Sequence, residues 1–216
     1  MHTSQESEND GLSTHRIEAL HDGVFAIVMT LLVLELRVPD ATDAQGLLHD
    51  LARLWPIAMS YVLSFINLGI NWVGMNYQFH YIKRSDRILL WLHIAFLMLI
   101  ALLPFSTALL GRYSTLQPAY LFYGLNLIAV GMISYVHWCY ATMHHRLTSH
   151  TISLSLVRSI KRRILVAPVV SLAAIVVSYF SMPASLLLYL FLPPYYLWPA
   201  RFDQFWSRPA VAHQHD

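Results

Sequence analysis

The sequence predicts an all-α, polytopic membrane protein with six transmembrane helices and both termini in the cytoplasm. Hydrophobic residues make up 56% of its 216 residues and charged residues only 12%, whereas an ordinary soluble domain has about 25% charged residues. Uncharged apolar runs recur along nearly the whole chain, and lipid can cover each of them. The formal net charge of +2 is too small to indicate a nucleic-acid partner.

Six runs approach the length that crosses a membrane, since a hydrocarbon core about 30 Å thick needs about 20 helical residues. The predicted spans are residues 17–38, 54–79, 88–110, 118–143, 164–182 and 184–198. The sixth is the weakest, because Pro193 and Pro194 should kink it or end it early. Five spans are therefore the alternative.

The distribution of lysine and arginine predicts the orientation, because these residues accumulate in cytoplasmic loops. With six spans, eleven of them lie on the side of the N-terminus and three on the opposite side. Residues 1–13 are polar and lack the basic region of a signal peptide. We expect a disordered cytoplasmic tail at 1–14, a six-helix transmembrane domain at 15–200 and a second cytoplasmic tail at 201–216.

The first predicted helix differs from the others because Arg16, Glu18, His21 and Asp22 occupy its first two turns. Charges at membrane depth are unfavourable, so such side chains usually face protein or water. Two alternatives remain open: Arg16 and Glu18 could lie in the headgroup region, and the carboxylate of Asp22 could simply complement the helix dipole.

Further along this helix, Ile27, Leu31 and Leu34 lie at i, i+4 and i+7 and form one stripe, with Thr30 beside it. In a helix that is apolar on all sides, such a stripe can be drawn on any face. Periodicity alone therefore does not distinguish a pore lining from side chains that pack or face lipid.

The same helix carries a longer motif, in which an arginine precedes Asp-Gly-Val-Phe-Ala-Ile and a Thr-Leu-Leu-x-Leu-Glu run. Its residues are Arg16, Asp22, Gly23, Val24, Phe25, Ala26, Ile27, Thr30, Leu31, Leu32, Leu34 and Glu35. Further matching segments are Leu54-Trp55-Pro56, Trp72-Val73, Asp86-Arg87 and residues 101–109. In this combination the first half of the chain resembles the prokaryotic, single-repeat branch of the transmembrane protein 175 family. The later half agrees with that family only in hydropathy and length.

The resemblance implies a potassium-permeable channel that lacks a carbonyl selectivity filter, needs no cofactor and is not an enzyme. It implies a homotetramer in a bacterial plasma membrane, with four copies of the first helix around a central pore. Ile27 would form the narrowest apolar ring, Leu31 and Leu34 further rings, and Thr30 would offer hydroxyl oxygens beside the constriction. Apolar rings can close a pore by dewetting, and hydroxyls can replace part of an ion's hydration shell.

The chain also departs from the family pattern. His21 stands where the family has serine, and Met75, Asn76 and Tyr77 stand where paired histidines are usual. The resemblance implies a structural polar network centred on Arg16 and Asp22, in which we expect His21 and, as replacement partners, Asn76 or His93.

One hypothesis is that acid changes gating through His21, because an unperturbed imidazole titrates near pH 6.5. The alternative is a neutral, hydrogen-bonded imidazole at the helix end. Unchanged pH dependence of the current in a His21→Ser variant would contradict the hypothesis.

Other functions compete with the channel interpretation. A membrane-embedded metal enzyme could use His144, His145 and His150, but no His-Glu-x-x-His pattern or nearby carboxylate accompanies them. The single cysteine, Cys139, excludes a cysteine-rich metal site. A secondary transporter would usually show repeated halves, and none is visible. A non-conducting member of the family is a further alternative, given the altered first helix.

Overall fold

The computed structural model describes residues 14–143, 147–148 and 152–197, which fold as helices joined by short connections. The helices are α1 (Thr14–Leu31), a 3-10 helix (Leu32–Glu35), α2 (Ala44–Arg53), α3 (Trp55–Tyr81), α4 (Arg87–Ala101), α5 (Leu103–Arg112), α6 (Gln117–Thr142), α7 (Leu154–Ser178) and α8 (Met182–Leu197). The predicted all-α class is confirmed. The predicted tails at 1–14 and 201–216 lie outside the described residues, apart from Thr14.

Local signals account for where several helices begin. The Asp43 carboxylate accepts a hydrogen bond from the Gly46 amide at 2.6 Å and caps α2, and Asp86 caps α4 through the Leu89 amide at 2.9 Å. Such caps satisfy amides that have no partner within the helix. Prolines occupy the first turns of α3, α5 and α6, where a missing N–H has no consequence.

Four segments are long and apolar enough to cross a membrane: Thr14–Glu35, Trp55–Tyr81, Arg87–Arg112 and Gln117–Thr142. Helix α7 has 25 residues, but its uninterrupted apolar part starts only after Arg163. Helix α8 is apolar and has 16 residues, which corresponds to about 24 Å. Helices therefore occupy all six predicted positions, while six complete crossings stay a prediction.

The structure differs from the sequence prediction in three places. The first span is not one α-helix to residue 38, because α1 ends at Leu31 and a 3-10 turn continues to Glu35. The third span is divided at Leu102, directly before the helix start that Pro104 favours. Helix α8 does not end at Pro193 and Pro194 but continues to Leu197. A membrane helix can continue past prolines when neighbouring helices pack against it and satisfy the backbone groups that the prolines leave free.

Helix α6 lies in the centre of the bundle and contacts α4, α5, α7 and α8. Its Tyr123 and Trp138 side chains are fully buried. Two of its glycines allow close approach: a β-carbon at Gly131 would lie 2.5 Å from the ring of Pro168 on α7, and one at Gly124 would meet the Tyr189 hydroxyl of α8. Small residues at helix contacts are the usual means by which membrane helices pack.

A group of hydroxyl and amide side chains joins α3, α5 and α6 inside the apolar core. The Tyr123 hydroxyl lies 3.2 Å from both the Ser64 hydroxyl and the Asn67 amide nitrogen, and Thr107 donates to Ser64 at 2.7 Å. Ser64 and Tyr123 are fully buried. Because lipid offers these groups no hydrogen bonds, the network favours one rotation of each helix about its axis.

We expect Gly131→Ala to lower the melting temperature of the detergent-solubilised protein, because the new methyl group overlaps the rigid Pro168 ring. Overpacking of this kind typically destabilises by about 1–3 kcal/mol, more than the gain of about 1 kcal/mol in helix propensity.

Gly69→Ala in α3 is the matched control, since a β-carbon there meets no atom within 4 Å. Its melting temperature should equal or exceed that of the wild type. A Gly131→Ala protein as stable as the Gly69→Ala protein would contradict the proposed close packing of α6 on α7.

Candidate functional site

Helix α1 has one buried and one exposed face. Ile17, His21, Phe25 and Val28 are buried, and α1 contacts α3, α4 and α5. On the other face, Ile27 is 62% exposed although it lies in the middle of an apolar helix. The packing of this subunit therefore selects one face of α1 and leaves the opposite one uncovered.

The predicted apolar stripe lies on the uncovered face. Leu31 is 43% exposed and Leu34 is 67% exposed. Leu34 belongs to the 3-10 helix and not to α1, so the stripe ends with a tighter turn than an α-helix would give. Beside it, Glu35 forms an ion pair with Arg112 of α5 at 2.7 Å, which connects this end of the segment to the bundle.

Thr30 is exposed next to the stripe. Its hydroxyl donates a hydrogen bond to the Ile27 carbonyl at 2.7 Å. Because the hydroxyl proton is used within the helix, the lone pairs of the Thr30 oxygen remain available on the exposed side. This arrangement presents an oxygen atom of the kind that coordinates a cation.

Asp22 has a partner that the sequence analysis did not identify. The Trp72 indole nitrogen of α3 donates a hydrogen bond to the Asp22 carboxylate at 2.8 Å. A hydrogen bond to a charged group is stronger than one between neutral groups. Asp22 therefore joins α1 to α3, fifty residues further along the chain.

His21 lies deep in the bundle and not at a solvated helix end. Its side chain is fully buried, and its ring centroid is 4.5 Å from that of Phe25 and 5.3 Å from that of His93. Among the described residues, neither ring nitrogen of His21 or of His93 has a hydrogen-bond partner. His21 and His93, two predicted members of the polar network, therefore do lie together, but they meet through their rings and not through a hydrogen bond.

A third buried histidine, His137 of α6, extends this group. Its ring centroid lies 5.7 Å from that of His93, and its Nδ1 lies 3.0 Å from the Gln78 Oε1. The Gln78 amide in turn donates to the Ser134 hydroxyl at 3.0 Å. Sequence analysis missed His137 and Gln78, although a polar side chain within a long apolar run is itself a signal.

The other predicted members of the polar network lie apart from these contacts. Arg16 is exposed, and no ion pair joins it to Asp22 or to another described residue. Asn76 is partly buried on α3 and makes no side-chain hydrogen bond to Arg16, His21 or Asp22 within residues 14–143. The network around Arg16 stays a prediction. In the structure, Asp22 bonds to Trp72, and His21 contacts the rings of Phe25 and His93.

Metal binding finds no support in the described part of the chain, where no group of three or more His, Cys, Asp or Glu side chains could hold an ion. The candidate histidines 144, 145 and 150 lie outside the described residues.

Comparison with known proteins identifies the family. The sequence model described as "Endosomal/lysosomal potassium channel TMEM175" matches residues 16–104. A potassium channel of Streptomyces collinus is 39% identical over 131 residues, a match that covers 59% of this chain and 64% of that protein. A potassium channel of Chamaesiphon minutus is 32% identical over 173 residues, covering 78% of this chain and 85% of that protein. The chain belongs to the TMEM175 family.

A solved structure agrees with this assignment. The crystal structure of a lysosomal potassium-selective channel TMEM175 homologue from Chamaesiphon minutus matches with a TM-score of 0.75 and 30% identity, covering 85% of this chain and 95% of that one. The predicted family is confirmed, and this chain has the TMEM175 channel fold. Because the family is one of ion channels, the prediction that the chain is not an enzyme is also confirmed.

The buried histidines give a testable difference in stability. We expect His137→Phe to destabilise the protein by about 1–3 kcal/mol, because it leaves the Gln78 oxygen without its partner in the core. His21→Phe makes the same change in volume but removes ring nitrogens that bond to no described residue. It replaces the imidazole with a phenyl ring in contact with Phe25, Phe79 and Phe96.

Melting temperatures in one detergent would measure the difference. The His21→Phe protein should be the more stable of the two variants. The reverse order would show that His21 forms a stabilising polar contact, and our description of its surroundings would then be wrong.

Proposed function

We propose that this chain is a potassium-permeable channel that assembles as a homotetramer, with four copies of the first helix around a central pore. Potassium is the permeant ion and no cofactor takes part. The observation that carries the proposal is the uncovered stripe of Ile27, Leu31 and Leu34 on a helix whose opposite face is buried. The two bacterial relatives described above are potassium channels, which supports the choice of ion.

The exposed face of α1 suits contact with other copies of itself. Gly23, which is exposed, lies one turn before Ile27, and a β-carbon at Gly23 would meet no atom of its own subunit within 4 Å. Small residues allow membrane helices to approach closely. Four such faces meeting at an axis would cover the stripe that a lone subunit leaves open.

In this assembly, Ile27 forms the narrowest ring and Leu31 and Leu34 form further rings toward the outer mouth. Rings of branched aliphatic side chains exclude water from a narrow pore and so close it to ions. Thr30 supplies an acceptor oxygen next to the Ile27 ring, because its proton already bonds to the helix backbone. We therefore assign gating to Ile27, Leu31 and Leu34, and selectivity to Ile27 and Thr30.

The proposed topology has six crossings with both termini in the cytoplasm of a bacterium, and the plasma membrane as the location. The excess of lysine and arginine on the side of the N-terminus supports this orientation. Residues 15–200 form the channel domain in this proposal, and 1–14 and 201–216 form the tails.

Ile27→Asn tests the position of the constriction. A polar ring should favour water in the pore, and lowering the conduction barrier by about 1.4 kcal/mol would raise the potassium flux about tenfold. The measurement is potassium flux from liposomes that contain the purified protein, with single-channel steps to separate a channel from a transporter.

Met98→Asn in α4 is the matched control, because Met98 is an apolar residue with 66% exposure on another helix. It should conduct like the wild type. Equal flux in the wild type and the Ile27→Asn protein would show that Ile27 does not line the pore.

Thr30→Val tests the selectivity assignment, since valine keeps the branched shape and removes the oxygen. A loss of about 1 kcal/mol in the preference for potassium would lower the potassium-to-sodium permeability ratio about fivefold. Reversal potentials in mixed potassium and sodium solutions give this ratio. Thr30→Ser keeps the hydroxyl and should retain most of the selectivity; a Thr30→Val channel with the wild-type ratio would contradict the role of Thr30.

A further inference from the structure

An apolar cavity of about 480 Å³ lies between α3, α6, α7 and α8. This volume falls within the range of about 300–1,000 Å³ that is usual for sites of small ligands. The lining includes Phe65, Ile70, Leu127, Ile164 and Leu192. Walls of this kind lose van der Waals contacts when nothing fills the space, so the cavity favours an apolar occupant.

The amide side chains in the lining already have hydrogen-bond partners within the bundle. Asn71 donates to the Asn67 carbonyl at 2.8 Å, and Gln78 donates to the Ser134 hydroxyl at 3.0 Å. An apolar ligand beside them therefore breaks no hydrogen bond. Their presence does not require a polar occupant.

Arg163 of α7 marks one end of the cavity. Its guanidinium donates to the Tyr196 carbonyl at 2.7 Å and lies 5.6 Å from the centre of the Tyr196 ring. The Tyr196 hydroxyl returns a hydrogen bond to the Arg163 carbonyl at 2.7 Å, so the two residues hold each other in place. No acidic side chain among the described residues pairs with Arg163, and its other N–H groups remain available to a ligand.

The same end of the bundle carries further positive charge. Arg158, Lys161 and Arg162 precede Arg163 on α7, on the side that the loop charges assign to the cytoplasm. Basic pockets between membrane helices on this side are suited to anionic lipid headgroups. Charge complementarity thus identifies what kind of molecule fits the apolar space.

We propose that this cavity binds an anionic phospholipid of the cytoplasmic leaflet, with one acyl chain between α3 and α7 and its phosphate on Arg163. The lipid would also lie behind the first helix, since Met29 of α1 and Trp72 of α3 belong to the lining. Met29 is two residues from Ile27, on nearly the opposite side of α1. The inference concerns lipid binding and does not depend on which ion the protein conducts.

Native mass spectrometry of the delipidated full-length protein tests the proposal. The probes are phosphatidylglycerol and phosphatidylcholine with identical acyl chains, added at equal concentration. We expect the wild type to retain phosphatidylglycerol in preference, and Arg163→Gln to reduce the retained amount at least several-fold. Arg53→Gln is the charge-matched control, because Arg53 is exposed at the end of α2, on the side that the loop charges place opposite the cytoplasm, and it should behave like the wild type.

A second variant tests the acyl-chain part of the site. Gly69→Phe fills the cavity, since Gly69 lines it and a β-carbon there meets no atom within 4 Å. It should reduce retention of both lipids, whereas Val176→Phe on the outer face of α7 should not.

Two results would overturn the proposal. One is retention by Arg163→Gln and Gly69→Phe that equals the wild type, which would indicate lipid bound only to the outer surface. The other is a wild-type protein with no preference for phosphatidylglycerol, as expected if a neighbouring subunit or residues 198–216 occupy the cavity.

Discussion

The packing of one face of α1 against α3, α4 and α5 is the constraint on which the rest of this structure depends. Ile17, Phe25 and Val28 are almost completely buried there, and the Asp22–Trp72 hydrogen bond fixes the rotation of the helix at its polar end. Once that face is buried, Ile27, Leu31 and Leu34 remain largely exposed within the subunit. A stripe that is unremarkable in sequence becomes a surface that must meet lipid, or another copy of the same helix.

Polar side chains in the core set the positions of the other helices. Tyr123, Ser64 and Thr107 join α6, α3 and α5, and His137 with Gln78 joins α6 and α3 nearer the opposite end. Hydrophobic burial cannot orient helices that lipid would solvate equally well, so directional bonds and close contacts at small residues perform that task. The glycines of α6 act in the same way, because only they allow α7 and α8 to approach so closely.

The two proposed functional surfaces follow from what this packing leaves unfilled. On the outer side of α1 it leaves the apolar stripe with the Thr30 oxygen beside it. Behind α1 it leaves a cavity between α3 and α7 that ends at the Arg163–Tyr196 pair. The stripe belongs to the first helix, and the cavity is lined by Met29 of the same helix. A molecule in the cavity and an ion beside the stripe would therefore lie on opposite sides of α1.

The sequence by itself determined the membrane class, the approximate helix positions, the family, and the residues of the stripe, because hydropathy, charge and the first-helix motif are local. The break of the third span before Pro104 was not predicted, because a proline can also lie within a continuous membrane helix when neighbouring helices support it. Only the tertiary structure decided which face of α1 is buried, because a helix that is apolar all round carries no information about its orientation. The partners of Asp22 and His137 likewise needed the fold, since the bonds to Trp72 and Gln78 join residues at least fifty positions apart.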